Sequence, residues 1–499
     1  MQILLNILIA IFLISLILDL INNYNIKTAV KTVNEMGIGY NLGNLFDSYN
    51  FSKEIKTPDE QITLWGNSLP TKKMISNIKK YGFKTIRFPV TWMNFMDEHG
   101  NVNSEWMSRV KEVVNWIVKK NLYCVLNIQN DAEKGGWLYD GITAKNKYIN
   151  LWRQIAEEFK YYNEYLVFES INKVSFYSRY NINYAYDILL NLTQSFVDII
   201  RGSGQYNLKR LLIISGMDDL FTYTCSPYYK LPIDSSNKLA ISLHYDTPRY
   251  FTIYNSDSSW GSEKEYKSVI NEFDIIKDYY INKGIPIILP DIGVKTEINK
   301  QLISIREYLY SIFSISIDYG IMPFLWDTSN KKEGDMNYYN RETNEWYDQK
   351  LSEIFLKLSR DKHIKISDFY YTTNIETTSE TSDYGDFYII IGNKKPLKII
   401  LNANLYGTLF DDYDFSVSSK SSDGEFFDIQ FGPENGKRQY DGTIIYTFDV
   451  SNYDCTTYIE IIKWFPDEMT FNNVTIEYNE SFSSFNYKKF KSSISNEII

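Results

Sequence analysis

The chain contains 499 residues, of which 44% are hydrophobic and 23% are charged, and its formal net charge is -10. These proportions are ordinary for a globular protein and argue against a disordered or membrane-embedded chain. The negative charge disfavours binding to nucleic acid or to an anionic membrane surface, because both require clustered Lys or Arg. The length exceeds what one hydrophobic core usually serves, so we expect two domains.

Residues 1–24 form the first distinct segment, which we interpret as a signal peptide or signal anchor. The run from Ile3 to Leu18 is apolar except for Asn6 and Ser15, a length typical of a secretory signal and short for a membrane span. No Lys or Arg precedes the run and no clear cleavage site follows it, so an uncleaved anchor is the alternative. We predict a protein that is secreted or held at the extracellular surface, with membrane contact only through this segment.

Over residues 30–360, short β-branched or aromatic runs alternate with stretches of helical period. One such stretch begins at Ser104, a predicted helix cap, and another carries the apolar stripe of Met74, Ile75 and Ile78. Eight strands with outer helices predict a TIM (β/α)8 barrel, an α/β fold whose active site lies at the carboxyl ends of the strands. The candidate strands are Gly37 to Asn41, Thr85 to Val90, Tyr123 to Ile128, Leu166 to Ser170, Leu211 to Ser215, Ala240 to His244, Ile287 to Leu289 and Met322 to Leu325.

Residues 365–485 lose the helical period and predict a C-terminal all-β sandwich domain. The end of this region, Phe471 to Ile476, loosely resembles the last strand of jelly-roll carbohydrate-binding modules, so a sugar-binding role and a purely structural one are both open. Residues 486–499 form a polar tail that we expect to be disordered. The candidate strands are Phe387 to Ile391, Leu397 to Asn402, Phe427 to Phe431, Thr443 to Phe448, Tyr458 to Trp464 and Val474 to Tyr478.

Aromatic residues make up 16% of the chain. This share favours a surface that stacks on sugar rings, although the joint abundance of Tyr, Asn, Ile and Lys also fits biased residue usage. The three cysteines, Cys124, Cys225 and Cys455, lie far apart and define neither a disulfide framework nor a zinc site. We expect no metal and no cofactor.

Five phrases occur in a characteristic order within the predicted barrel. They are Gly39-Tyr40-Asn41-Leu42-Gly43-Asn44, Trp65-Gly66-Asn67, Gly82-Phe83-Lys84-Thr85-Ile86-Arg87-Phe88-Pro89-Val90-Thr91-Trp92, Ser242-Leu243-His244-Tyr245 and Phe324-Leu325-Trp326-Asp327. Together they resemble glycoside hydrolase family 5, particularly its bacterial and anaerobic-fungal endoglucanases. The resemblance covers about Gly37 to Lys357 and implies a cellulase-like barrel whose ligand is a β-glucan or a related polysaccharide.

The resemblance places the two catalytic glutamates of the family at Lys173 and Asp291. Retaining glycosidases need one carboxyl group to protonate the leaving oxygen and a second, about 5 to 5.5 Å away, to attack the anomeric carbon. An ammonium at Lys173 is poorly matched to a group that must act first as acid and then as base. Asp291 lacks one methylene, and a displacement of about an ångström can cost on the order of 100-fold in rate. We expect Lys173 to be non-functional, Asp291 to be impaired, and the two to form a direct salt bridge.

A third departure from the family lies in Asn127-Ile128-Gln129-Asn130-Asp131, where the family has two histidines. The amides of Gln129 and Asn130 can still bond a sugar but cannot titrate. The resemblance further implies that Arg87 supports the residue at position 291. It also implies sugar contacts for Asn172, His244, Tyr245 and Trp326. Weaker stacking candidates are Trp65, Trp92, Trp137 and Trp260.

Three other acidic residues stand near these motifs. Glu169 precedes Lys173 by four residues, which at strand spacing puts it about 13 Å deeper in the barrel, so we expect a core residue. Glu333 and Asp335 follow the last barrel strand and are expected in a solvated loop.

Three functional hypotheses are open. The leading one is a secreted family 5 pseudoenzyme that binds β-glucan or a related polysaccharide without hydrolysing it. The second is an endo-β-glucanase with residual activity. The third is a protein-interaction or structural module that uses the barrel as a rigid body, since a fold does not fix a function.

Overall fold

The computed structural model describes residues 28–218, 221–254, 260–261, 263–296, 302–329 and 335–360, together with eight strands and Gln439 beyond residue 386. The predicted leader of residues 1–24 and the polar tail of residues 486–499 lie outside the described residues. Within the described part of the chain, no helix is both long enough and apolar enough to cross a membrane.

Eight parallel strands close into a barrel in chain order. Each pairs with its sequence neighbours, and β1 closes the ring against β8. All eight predicted strands are confirmed. They are β1 (Gly39–Asn41), β2 (Thr85–Phe88), β3 (Tyr123–Asn127), β4 (Leu166–Glu169), β5 (Leu212–Ser215), β6 (Leu239–Ser242), β7 (Ile287–Ile292) and β8 (Met322–Leu325).

Helices surround the barrel and connect its strands. A short antiparallel pair, β9 (Tyr339–Asn340) and β10 (Glu345–Trp346), follows β8. The helices are α1 (Ala29–Met36), α2 (Pro58–Ile62), α3 (Lys72–Lys80), α4 (Ser104–Val118), α5 (Lys145–Phe159), α6 (Ile182–Gly202), α7 (Phe221–Thr224), α8 (Arg249–Thr252), α9 (Glu263–Tyr279), α10 (Leu302–Tyr319) and α11 (Gln349–Arg360). Single 3-10 turns lie at Met93–Phe95, Phe176–Ser178, Gln205–Leu208 and Ile281–Lys283.

The apolar stripes predicted for two helices face the barrel. Met74, Ile75 and Ile78 of α3 are all buried. The apolar residues of α4 that are buried are Trp106, Val110, Val113, Val114 and Ile117, and the cap is Asn103, not the predicted Ser104. The Asn103 side chain accepts hydrogen bonds from the first free backbone N–H groups of the helix, at residues 105 and 106. Both residue types cap helices well, so the pattern alone does not separate two neighbours.

The amino ends of the barrel strands are closed by α1. Its buried residues Val33 and Met36 join an apolar cluster with strand residues such as Val125, Ile213 and Phe324. This cluster fills the lower barrel, so the opening that can admit a ligand lies at the opposite end, where the strands finish.

Arg210, just before β5, ties the end of α5 to the start of β4. Its guanidinium is buried, lies over the Phe168 ring with 4.8 Å to the ring centroid, and donates to the Asn207 side chain at 2.7 Å. No carboxylate is among these partners. The remaining donors bond to the backbone carbonyl oxygens of Phe159, Tyr162, Asn163 and Leu166.

Replacing Arg210 by Ala should therefore lower the free energy of unfolding by about 3–5 kcal/mol, since several buried carbonyls lose their charged donor at once. Arg153→Ala is the matched control, because Arg153 is exposed on α5, and it should change stability by less than about 0.5 kcal/mol. Chemical denaturation followed by tryptophan fluorescence measures both. Equal midpoints for the two variants would show that the network is not stabilising.

The C-terminal region contains two four-stranded antiparallel sheets, in the orders β11-β17-β13-β14 and β15-β16-β12-β18. All six predicted strands are found, and two more were not predicted, β13 and β15. Packing of the two sheets as a sandwich remains a prediction. The strands are β11 (Phe387–Ile390), β12 (Pro396–Leu405), β13 (Phe415–Lys420), β14 (Phe426–Phe431), β15 (Gly436–Arg438), β16 (Ile444–Asp449), β17 (Tyr458–Lys463) and β18 (Met469–Tyr478).

Candidate active site

A buried arginine organises the carboxyl end of the barrel. Arg87 of β2 is fully buried and uses all three guanidinium nitrogens. Its Nε donates to Glu169 at 2.7 Å, Nη2 to Asn172 at 2.9 Å and Nη1 to Asn41 at 3.1 Å. The same Nη1 lies 3.7 Å from Oδ1 of Asp291. One side chain therefore links residues from β1, β2, β4 and β7.

Glu169 is the main counter-ion of Arg87. Its side chain is 1% exposed, which confirms the predicted core position. The oxygen that accepts from Arg87 also accepts from Nδ2 of Asn127 at 3.1 Å. Glu169 is thus a buried partner in the scaffold and not a carboxyl group facing the opening.

Asp291 lies on β7 with its carboxylate between two partners. Oδ1 faces Arg87, and Oδ2 lies 3.1 Å from Nδ1 of His244. Burial raises the pKa of Asp291 to about 6, although the charges of Arg87 and Lys173 act in the opposite direction. The carboxyl group is therefore ionised at neutral pH and protonated in mild acid.

His244 follows β6 and is held as a neutral imidazole. Burial lowers its pKa well below the ordinary value, and the positive charges of Lys173 and Arg87 lower it further. A neutral ring that carries its proton on Nδ1 can donate a hydrogen bond to Oδ2 of Asp291, 3.1 Å away. His244 thereby orients the carboxylate of Asp291 without adding a positive charge beside it.

Lys173 does not form the predicted direct salt bridge with Asp291. Among the residues that the structure describes, the basic side chains in contact with Asp291 are the Arg87 guanidinium and the neutral His244 ring. Lys173 is partly exposed and acts on Asp291 only by longer-range attraction. The physical reason is that the short aspartate side chain is already engaged by the partners beside it.

The loop after β3 brings amides and a carboxylate to the same rim. Gln129 is buried and accepts from Nδ2 of Asn127 at 2.7 Å. Asn130 is partly exposed and donates to the backbone carbonyl of Asp47 at 2.8 Å. Asp131 is buried and accepts from the indole nitrogen of Trp137 at 2.7 Å. Gln129 is consequently part of the supporting layer, whereas Asn130 borders the opening.

Trp326 follows β8 and stays partly exposed at the mouth. A side chain at Gly43 would come within 2.8 Å of its ring, so glycine allows the β1 loop to lie directly against the indole. Partial exposure of a large ring at the mouth fits the predicted stacking role.

A second buried network supports this side of the mouth and was not predicted from the sequence. Arg341, on the turn between β9 and β10, donates to the backbone carbonyls of Gly43 and Asp327 and to the Tyr40 hydroxyl. Tyr40 in turn donates to the Asp327 carboxylate. The network holds the loops on both sides of Trp326. Tyr40 and Asp327 belong to recognised motifs, but no motif in the sequence around Arg341 predicts that its side chain joins this network.

Three predicted contact residues point elsewhere. Tyr245 is 2% exposed and donates to Glu272 of α9 at 2.7 Å, because consecutive residues of an extended segment face opposite sides and His244 faces inward. Trp92 and Trp260 are also buried, so they belong to the core and not to a sugar-stacking surface. Trp65 and Trp137 are partly exposed.

Of the two acidic candidates that follow β8, the structure describes Asp335 alone. Asp335 is partly exposed, and its backbone carbonyl accepts from Thr296. Glu333 lies outside the described residues. Across the described segments, no group of three or more His, Cys, Asp or Glu side chains is arranged to hold a metal ion.

Comparison with known proteins identifies the family. The family model described as Cellulase (glycosyl hydrolase family 5) matches residues 46–332, more than half of the chain. Endoglucanase A of Clostridium longisporum is 31% identical over 363 residues, covering 68% of this chain and 67% of that protein. The chain belongs to glycoside hydrolase family 5.

Solved structures agree over the barrel. A broad specificity endoglucanase from an uncultured bovine rumen ciliate is 49% identical, with a TM-score of 0.65, and covers 67% of this chain and 98% of that one. A broad specificity endoglucanase from Ruminococcus champanellensis with bound cellotriose is 29% identical, with a TM-score of 0.61, and covers 66% and 98%. The family 5 TIM barrel is therefore shown both by sequence and by structure.

The polar groups of this family 5 barrel fall into two layers. Arg87, Glu169 and Asn127 form a buried lower layer and are engaged with one another. Lys173 and Trp326 belong to an upper layer that is partly exposed. A ligand entering from the mouth meets the upper layer, and the lower layer fixes its geometry.

The raised pKa of Asp291 gives a stability prediction. The unfolded aspartate ionises near pH 4 and the folded one near 6, so the folded state binds more protons in between and stability falls as pH rises through that window. Asp291→Asn removes the cost of holding a charge at this partly buried position. The variant should be more stable than the wild type by about 1–3 kcal/mol at pH 7.5 and equal to it near pH 4.

Thermal unfolding at the two pH values measures this difference. Asp187→Asn, on the exposed face of α6, is the control and should leave stability unchanged at both. A loss of stability in Asp291→Asn at pH 7.5 would show instead that the contacts with Arg87 and His244 outweigh the cost of burial.

Proposed function

We propose that this family 5 protein binds β-glucan chains in its barrel mouth without hydrolysing them at a rate useful to an enzyme. The observation that carries the proposal is the side chain at Lys173, an ammonium directly after Asn172 and above the intact Arg87 network. The family motif expects a carboxylic acid at this position. An ammonium cannot alternate between proton donor and proton acceptor near neutrality as that mechanism requires.

The position of Asp291 supports the same proposal. Its Oδ1 lies 3.7 Å from Arg87, longer than a hydrogen bond, and its Oδ2 lies 3.1 Å from Nδ1 of His244. A side chain one methylene shorter than glutamate, and held from below, is withdrawn from a sugar in the mouth. The nucleophile position is therefore weakened independently of Lys173.

The binding half of the site is better preserved. Asn172 is fixed by Arg87, the rim amide of Asn130 is partly exposed, and so is the Trp326 ring. Relatives of the chain carry the name endoglucanase, and related structures contain cellotriose or cellotetraose. These facts support a β-glucan as ligand. A polysaccharide of this kind also agrees with the predicted secretion, which we retain as part of the proposal.

Residual endoglucanase activity is the second candidate. The observation that favours it is the carboxylate of Asp291, which Arg87 and His244 still orient from two sides. The endoglucanase relatives favour it too. Such an enzyme would lack an acid at position 173 and would depend on leaving groups that need no protonation.

Restoring both side chains tests the proposal. Wild type, Lys173→Glu, Asp291→Glu and the double variant are assayed on soluble mixed-linkage β-glucan by release of reducing ends. The wild type should show no turnover above background. The turnover rate of the double variant should exceed that of Lys173→Glu by about 100-fold, because glutamate at position 291 is long enough to reach the anomeric carbon. Wild-type turnover at rates ordinary for endoglucanases would refute the proposal.

An activated aryl β-cellobioside separates the two candidates, because its leaving group needs no proton. Hydrolysis by the wild type, abolished in Asp291→Asn, would establish residual activity. No hydrolysis together with measurable glucan binding would support binding alone.

Trp326→Ala should weaken binding of cellotriose by about 3- to 10-fold, the loss expected when one ring that stacks on the ligand is removed. Isothermal calorimetry measures this effect. Trp116→Ala is the control, because Trp116 lies on α4 and is partly exposed away from the mouth. Unchanged affinity in Trp326→Ala would remove Trp326 from the proposed site.

A further inference from the structure

Positive charge collects at the amino end of the barrel, opposite the mouth. The turns that lead into β2 and β3 carry lysines without acidic neighbours in sequence, since residues 72–96 and 113–130 contain neither Asp nor Glu. The first turn of α1 and the last turn of α11 add further exposed cations at this end. We call this set the basic face. Its members are Lys31, Lys79, Lys80, Lys84, Lys119, Lys120, Lys357 and Arg360.

Contacts between neighbouring turns show that the basic face is one surface. Nζ of Lys79 donates to the backbone carbonyl of Lys120 at 2.5 Å, which joins the turns before β2 and β3. A side chain at Gly37, directly after α1, would come within 3.0 Å of the Lys84 side chain. Among the described residues, no ion pair engages any of these eight cations with a carboxylate. The basic face is therefore available to an anionic partner.

The net charge of the chain does not reveal this face, because the excess negative charge lies elsewhere. Residues 1–360 contain 40 acidic and 40 basic residues, whereas residues 387–485 contain 15 acidic and 7 basic ones. We call residues 387–485 the C-terminal β region. The barrel is neutral as a whole, so its basic face and the acidic C-terminal β region are complementary in charge.

The chain leaves the barrel at the basic face. Helix α11 ends at Arg360, and a side chain at Gly82, in the turn before β2, would come within 2.2 Å of Oγ of Ser359. The segment between Arg360 and Phe387, where β11 begins, comprises residues 361–386. A segment of this length spans at most about 90 Å, so the C-terminal β region can reach the basic face. Because both belong to one chain, weak attractions are enough to bring them together.

Apolar side chains extend the same end of the barrel toward β4 and β5. Tyr161 is 67% exposed, Tyr206 is 51% exposed and Leu208 is 49% exposed. The backbone N–H of Tyr206 donates to the carbonyl of Lys160 at 3.1 Å, so the turns that carry these side chains are adjacent. Apolar area of this kind suits a protein partner, since exposed ion pairs alone contribute little.

We propose that the basic face and the adjacent apolar side chains bind the acidic C-terminal β region of the same chain. The competing occupant is an anionic membrane, because the apolar residues 1–24 precede α1. The C-terminal β region is favoured, since it is tethered to the face by α11 and is present at high local concentration on every molecule. Docking at this end holds the C-terminal β region away from the mouth, so the residues around Trp326 stay uncovered.

Small-angle X-ray scattering of full-length wild type and three variants tests this docking. The control changes three exposed lysines at the mouth end, between β1 and the first turn of α3, and alters the net charge as much as the basic variant does. The apolar variant leaves the net charge unchanged, and circular dichroism verifies that each variant is folded. The basic variant is Lys80→Glu, Lys84→Glu and Lys120→Glu, the apolar variant is Tyr206→Ala and Leu208→Ala, and the control is Lys53→Glu, Lys56→Glu and Lys73→Glu.

At about 50 mM salt, the wild type and the control should share one small radius of gyration, and the basic and apolar variants should have larger ones. The wild type should expand in about 0.5 M salt, because screening weakens attraction between exposed charges. In the basic variant the ratio of docked to undocked molecules should fall by about tenfold, the loss expected for three exposed charge contacts. Equal radii for the wild type and the basic and apolar variants would overturn the proposal.

Carbodiimide cross-linking of the wild type, followed by mass spectrometry of the monomer, identifies the docked surface. Cross-links should join lysines of the basic face to carboxylates of residues 387–485, and cross-links at Lys53, Lys56 and Lys73 instead would place the C-terminal β region elsewhere and overturn the proposal. Flotation with vesicles that contain phosphatidylserine examines the competing occupant. The wild type should remain unbound because its basic face is covered. Wild-type flotation that the basic variant loses would assign the face to a membrane.

Discussion

The guanidinium of Arg87 is the interaction on which the barrel mouth depends. It pairs with Glu169 at 2.7 Å and orients Asn41 and Asn172, so that one buried cation fixes the upper ends of β1, β2 and β4. Asn41 continues the connection, because its amide donates to the backbone carbonyl of Pro290, next to Asp291 on β7. A buried ion pair of this kind cannot lose one partner without leaving an uncompensated charge, so the network is fixed as a unit.

The same network explains the state of Asp291. Arg87 carries one positive charge, and Glu169 neutralises it at the shorter distance. Asp291 is a second carboxylate near the same guanidinium and is attracted by it only weakly. The negative charge of Glu169 also contributes to the raised pKa of Asp291. Because the scaffold is stabilised by Arg87 and Glu169, changes at positions 173 and 291 leave the supporting layer in place. The barrel can keep its shape when groups above that layer change.

The sequence predicted the barrel well because strand and helix periods are local signals. All eight barrel strands and the apolar stripe of α3 followed from residue patterns. Two C-terminal strands were missed for the same reason: β13 is rich in serine and β15 has three residues and no apolar one. Strand pairing can recruit such segments through the backbone alone, which leaves no mark in the side-chain pattern.

The site was less predictable, because contacts across the barrel depend on which way each side chain points. Consecutive residues of an extended segment face opposite sides, so placing His244 inside the barrel would have predicted that Tyr245 points away from the site. Arg341 is different: it reaches Gly43 over a long stretch of sequence, and no local motif encodes such a contact. The salt bridge predicted between Lys173 and Asp291 failed for a similar reason, because it also depends on contacts that no local motif encodes. Its prediction considered only the two charges, whereas Arg87 and His244 compete for the same carboxylate.

Catalysis and ligand binding place different demands on this architecture. This difference favours the proposal of a protein that binds glucan without hydrolysing it. Hydrolysis by the family mechanism needs two groups at a fixed separation with matched proton affinities, so under the proposed function the lysine at position 173 is enough to prevent it. Binding sums many contacts along the barrel mouth, among them the proposed one of Trp326, and no single contact decides it. A barrel whose lower layer is fixed by Arg87 keeps its mouth in place, so under the proposed function a lysine at position 173 need not disturb the surface that would contact the glucan.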